Sequence, residues 1–112
     1  MHQPPERLSI ISYPYPFAVW GANLIGPLSA GTKQAKYAVV AIDYFTRWVE
    51  AEVLTNITEA QTTAFIKKNV VCRFGVPMAI ITDLGKQFDN YNFRDYCEDL
   101  KIECRFASVA HP

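Results

Sequence analysis

A chain of 112 residues has room for one domain and not two, and half of it is hydrophobic, with seven Phe, six Tyr and two Trp to fill a core. Eleven basic residues balance eleven acidic ones, so a net charge of zero supplies no global field to attract nucleic acid and leaves only a local basic stripe as an electrostatic route to it. Three cysteines without CxxC spacing and one histidine near each end argue against a disulfide frame or a structural zinc.

Taken in chain order, residues 1–16 hold four of the seven prolines and read as an extended lead-in, which leaves 17–112 as the folded unit. The start, "MHQPPERLS", has no apolar h-region, and the longest apolar run, "YAVVAI" at 37–42, is far too short to cross a bilayer. A soluble intracellular chain is expected. "FAVWGANLIGP" (17–27) suits a buried strand ending at Gly26-Pro27. "YAVVAIDYF" (37–45) is rich in β-formers and continuous enough for a central strand. "WVEAEVL" (48–54) alternates, which predicts a half-exposed strand with Val49, Ala51 and Val53 on one face and Glu50 and Glu52 on a polar one. Short links between the three predict an antiparallel meander.

The period then changes. Thr58 and Gln61 form a capping-box signature and Gly75 with Pro77 a stop, so a helix is expected between them. Ile66, Val70 and Phe74 stack at i, i+4, i+8, with Phe65 and Cys72 widening the apolar stripe. "MAIITD" (78–83) returns to strand, which makes a strand–helix–strand unit and therefore a parallel pairing, beside the first strand of the meander. "NYNFRDYCEDL" (90–100) predicts a second helix, capped by Asp89, with Phe93, Cys97 and Leu100 inward and Asp95, Glu98 and Asp99 solvated. "ECRFASV" (103–109) is the last strand. The expected architecture is an α/β fold with a mixed five-stranded sheet in the order βββαβαβ, its three cysteines serving as small core residues.

Asp83 ends a parallel strand at its carboxyl edge, where ligands sit in open α/β sheets. A carboxylate beside a core needs compensation. A capping hydrogen bond through the Gly85 turn, a salt bridge or a metal ion would each provide it. A shared metal needs a second acid on the neighbouring strand, and the polar residue there is Asn23. Lys67, Lys68 and Arg73 cluster on or just after the first helix and Lys86 follows Asp83; they read either as solvated cations or as phosphate contacts.

"PFAVWGANLIGPL", "VVAIDYFTRWVEAE", "RFGVPMAIITDLGKQF" and "RFASVAHP", in that order, resemble the integrase catalytic core of Ty3/gypsy-type retrotransposons, and "HQPPE" resembles the linker before it. The resemblance implies an RNase H-like fold, with 17–112 a partial core domain. It also implies a nuclear or cytoplasmic enzyme that joins element DNA ends to a target strand, using two Asp and one Glu to hold two Mg2+ or Mn2+. Carried over residue by residue, Asp83 matches the second acid and metal ligand of "TDxG", and Asn23 falls where "WGxD" supplies the first. Leu84 stands where the family usually has Asn, while Gly85, Gln87 and Phe88 match. The glutamate, on a helix roughly thirty-five residues beyond the second acid, would fall past Pro112. The resemblance further implies DNA as partner, for which Lys86, Lys67 and Lys68 are the candidate phosphate contacts read from the charge cluster above, and self-association.

Hard divalent cations are held by carboxylates plus substrate phosphates, and Asn offers one neutral oxygen in place of two charged ones. The chain as written is therefore expected to bind Mg2+ or Mn2+ weakly or not at all and to be silent in strand transfer. The alternative is a co-opted, non-catalytic module binding nucleic acid or protein. Asp43 in "AIDYFT" also ends a strand, but hydrogen bonding within its hairpin accounts for it.

Overall fold

The computed structural model describes residues 14–28, 36–55, 57–83 and 88–107. The lead-in up to residue 13, the 84–87 loop with Lys86, and His111 with Pro112 lie outside the described residues.

Three strands open the fold: β1 (Val19–Leu28), β2 (Lys36–Asp43) and β3 (Val49–Leu54). They pair antiparallel in sequence, with Asn23 opposite Val40 and Val40 opposite Ala51. A long helix, α1, follows, with an α-helical stretch Glu59–Ile66, a π-turn Lys67–Val71 and a closing turn Cys72–Phe74. Then come β4 (Ala79–Thr82), α2 (Tyr91–Leu100) and β5 (Glu103–Phe106). The sheet order is β3-β2-β1-β4-β5, and β4 runs parallel to both β1 and β5. The mixed five-stranded sheet and its βββαβαβ order are those the sequence predicts. No described helix is long and apolar enough to cross a membrane.

Both helices lie on one face of this sheet. Trp20, Ala22, Val39, Ala41 and Ile80 point from the strands into a single core with Phe65, Ile66 and Val70 of α1 and Phe93 and Cys97 of α2. The Thr58 hydroxyl caps α1 by accepting from the Gln61 N–H at 3.1 Å, as the capping box requires.

Three expectations need correction. On β3 the faces are the reverse of the prediction: Glu50 is only 7% exposed, while Val49 and Val53 are 50% and 59% exposed. Alternation fixes the period and leaves its phase open, and here the carboxylates turn toward α1 because α1 supplies their donors. Glu50 accepts from the Trp48 indole N–H at 2.6 Å and pairs with Arg73 at 3.3 Å. Glu52 accepts weakly from Asn69 at 3.5 Å and faces the Lys68 ammonium at 3.8 Å. Cys72 is exposed and lies off the core stripe. The π-turn takes in an extra residue, so the apolar phase that holds through Ile66 and Val70 slips before residue 72. The cap of α2 is Asn90, whose side chain accepts from the Phe93 N–H at 2.8 Å; Asp89 instead pairs with Arg94.

Asp43 is fully buried at the end of β2 and accepts three hydrogen bonds: from the Phe17 N–H at 3.0 Å, the Thr46 N–H at 2.9 Å and the Thr46 hydroxyl at 2.6 Å. It ties the β2–β3 turn to the entry of β1. There Phe17 stacks on Phe74 at 4.4 Å, closing the end of α1 over the sheet. Replacing Asp43 by Ala would orphan two backbone donors at the edge of the core, and we expect a loss of roughly 3 kcal/mol. Asp43→Asn, which keeps an acceptor, should lose less; urea denaturation of the two variants checks the order.

Candidate functional site

The sheet face away from the helices carries the residues of opposite parity. Across it, Val49, Ile42, Gly21 and Ile81 form one row in register, and Ala51, Val40 and Asn23 form the next. No described helix covers this face, and Ile25, Val49 and Val53 are well exposed on it.

Asn23 and Asp83 meet at its mouth. The parallel register pairs Ala22 with Thr82, so each stands one residue beyond the last matched pair, on adjacent strands. Neighbouring strands lie about 4.8 Å apart, which is bridging distance for two side chains sharing a ligand. Both line one cavity of about 430 Å3, with Gly21, Val40, Ile42 and Tyr44 forming much of its wall. Asn23 is exposed, and its side-chain oxygen accepts from the Leu24 N–H at 2.9 Å. Asp83 is half-buried, and the Thr82 hydroxyl donates to its backbone carbonyl at 3.4 Å.

Gly21 shapes the cavity floor. A Cβ there would lie 2.2 Å from the Tyr44 hydroxyl, so glycine lets the phenol ring lie flat against β1. Tyr44 belongs to the site, yet the sequence gives no sign of it. It reads there as one more β-former after Asp43, and only the turn that ends β2 swings it back across the open face.

The other candidate residues are elsewhere. Lys67 and Lys68 sit on α1, behind the sheet from the cavity. All three cations of α1 are exposed, and Lys68 and Arg73 also face the β3 carboxylates. Lys86 lies outside the described residues. Asp43 points into the opposite face and is saturated by its three donors. The cavity thus presents one carboxylate and one amide, and among the described residues no three His, Cys, Asp or Glu side chains converge. One carboxylate and a neutral oxygen engaged by its own backbone do not fit a pair of hard dications.

This arrangement is that of an RNase H-like α/β domain of the integrase catalytic-core type. The HTLV-2 integrase catalytic core domain, solved in complex with magnesium, superposes with a TM-score of 0.75 at 20% identity, covering 84% of this chain and 62% of that one. Residues 14–112 match the integrase core domain family, and the chain belongs to it. It is 30% identical over 89 residues to the retrovirus-related Pol polyprotein from transposon 412 of Drosophila melanogaster, covering 80% of this chain and 7% of that one. Gypsy retrotransposon integrase-like protein 1 of Rattus norvegicus is 29% identical over 94 residues, with 83% and 18% covered. The chain therefore spans less than a fifth of either relative.

An uncovered apolar face should bind a dye that reports exposed hydrophobic surface. We expect the 112-residue polypeptide to enhance ANS fluorescence. Val49→Lys with Val53→Lys should lower that signal by about half, with far-UV circular dichroism unchanged, since neither side chain enters the core.

Proposed function

We propose that this chain is the catalytic-core segment of a retrotransposon integrase whose site has lost the capacity to hold two metal ions, so that it does not join DNA ends. The observation that carries the reading is the sharing of one cavity by Asn23 and Asp83, on the adjacent strand ends that would present the first two acids of the family. A bound pair of divalent cations would supply an activated water and a clamp on the attacking and leaving oxygens. This chain's own residues contribute the remainder of the site. Asp83 offers a carboxylate at a half-buried position. Tyr44 and the apolar rows on either side limit water at the cavity wall. Asn23 contributes a neutral amide where the pair most needs negative charge.

In this reading the partners are DNA and further copies of the chain, and the setting is nuclear or cytoplasmic. Phosphate contact would come from Lys67 and Lys86 more than from Lys68, which already faces Glu52. Such contact predicts that duplex affinity falls linearly with log salt concentration, by a slope of about −0.9 per phosphate neutralised. Self-association would appear as elution ahead of a monomer in size-exclusion chromatography.

Titration with Mn2+ tests the metal argument. A ligand that binds only the native state stabilises it by RT ln(1 + [L]/Kd). The unmodified chain should show no saturable rise in melting temperature up to millimolar Mn2+. Asn23→Asp should gain one, and adding Asp83→Asn to that variant should abolish it. Submillimolar binding of two ions by the unmodified chain would overturn the proposal.

A further inference from the structure

Away from the cavity, α2 and β5 bring two thiols together. Cys104 pairs with Ile80 in the parallel register, and both face the helices with Trp20. Cys97 lies on the buried side of α2 in the same core. The helix ends with Lys101 in the left-handed region at φ 63°, and the Ile102 N–H donates back to the Cys97 carbonyl at 2.8 Å. This bond ties the Cys97 carbonyl to Ile102, two residues before Cys104. Cys104 packs against the buried cluster that holds Cys97, and the two side chains are near enough to act on each other's titration.

The two differ in environment. Cys97 is buried and keeps its proton: its interaction with the Cys104 side chain, and its burial, push its pKa up. Cys104 is half-buried, and its pKa is lowered first by that interaction and then by the nearby Arg94 guanidinium, against burial and the Asp89 carboxylate. Arg94 is fixed in place by Asp89 on one side and by the Phe106 ring at 4.6 Å on the other. Both sulfurs border a surface hollow of about 510 Å3 lined also by Tyr91, Arg94 and Phe106, wide enough to admit a small oxidant.

We propose that Cys97 and Cys104 form a peroxide-oxidisable dithiol, a modification site in which Cys104 is attacked first and Cys97 resolves it. The Cys104 thiolate attacks one oxygen of hydrogen peroxide, the O–O bond breaks and hydroxide leaves, giving a sulfenic acid. The Cys97 sulfur then displaces the sulfenic oxygen, its own proton leaves with that oxygen as water, and a disulfide joins α2 to β5. Two thiols are oxidised by two electrons, and one peroxide is reduced to two waters. Exposed Cys72 has no thiol partner among the described residues and serves as an internal control.

The test treats the 112-residue chain with hydrogen peroxide, blocks free thiols with iodoacetamide and maps the peptides by mass spectrometry. A Cys97–Cys104 cross-link within one chain is expected, reversible by dithiothreitol. Before oxidation, Cys104 should alkylate at least about tenfold faster than Cys97. In Cys97→Ser, Cys104 should accumulate as a sulfenic acid that dimedone traps. Alkylation of both Cys97 and Cys104 after peroxide, or a disulfide joining either one to Cys72, would overturn the proposal. The cross-link in the unmodified chain decides the matter even where a serine variant fails to fold.

Discussion

Parallel pairing between β1 and β4 fixes where every later residue of the sheet can point. Once Val19 stands beside Ala79 and Ala22 beside Thr82, the alternation of each strand is locked to its neighbours. Trp20, Ile80 and Cys104 then share the covered face, and Gly21, Ile81 and Arg105 share the open one. A slip of one residue would bury Asn23 under α1 and expel Trp20, so the core itself enforces the register. The same constraint sets Asn23 and Asp83 side by side at the carboxyl edge. That juxtaposition is a by-product of core packing, and no attraction between the two side chains is needed to produce it.

Much of this order is legible in the sequence because it rests on period and punctuation. The switch from strand to helix at Thr58, the stop at Gly75 and the return to strand at Ala79 are local signals, and together they require β4 to lie parallel beside the meander. What escapes is phase. In "WVEAEVL" the carboxylates and the valines alternate equally well in either orientation. The choice depends on Arg73, Asn69 and Lys68, some twenty residues downstream, arriving over Glu50 and Glu52. Cys72 falls off the apolar stripe for a related reason, because a π-turn cannot be read from spacing that assumes 3.6 residues per turn. For the site, Asn23 and Asp83 are visible as strand-end polar residues. Tyr44 and the Cys97–Cys104 contact emerge only after the chain reverses on itself.

The two faces of the sheet handle polarity in different ways. On the covered side each charge is answered: Asp43 by three donors, Glu50 by an indole and a guanidinium, Glu52 by an amide and an ammonium. Their removal would leave buried groups unpaired, which is where large stability losses arise. On the open side the rows are largely apolar over β1, β2 and β3, with Arg105 and Glu103 paired on β5 and Asn23 and Asp83 at the mouth. Besides Asn23 and Asp83, the described wall of the cavity brings only Tyr44 and Thr82 as polar side chains, both neutral.

This separation leaves the core independent of which polar residue occupies position 23. Asn23 is exposed and its side-chain oxygen accepts from the adjacent Leu24 N–H, a bond an aspartate oxygen could make equally well. Exchanging the two therefore costs the core nothing, and surface substitutions away from such networks usually move stability by less than about 0.5 kcal/mol. A hard dication, were one bound at this edge, would find one negative charge fewer with the amide than with a carboxylate. Asp43, equally a strand-end carboxylate, stands in the reverse position: indispensable to packing and irrelevant to a ligand on the other face. Core packing and the strand-end cavity thus rest on different polar residues of the same sheet, Asp43 for the one and Asn23 with Asp83 for the other.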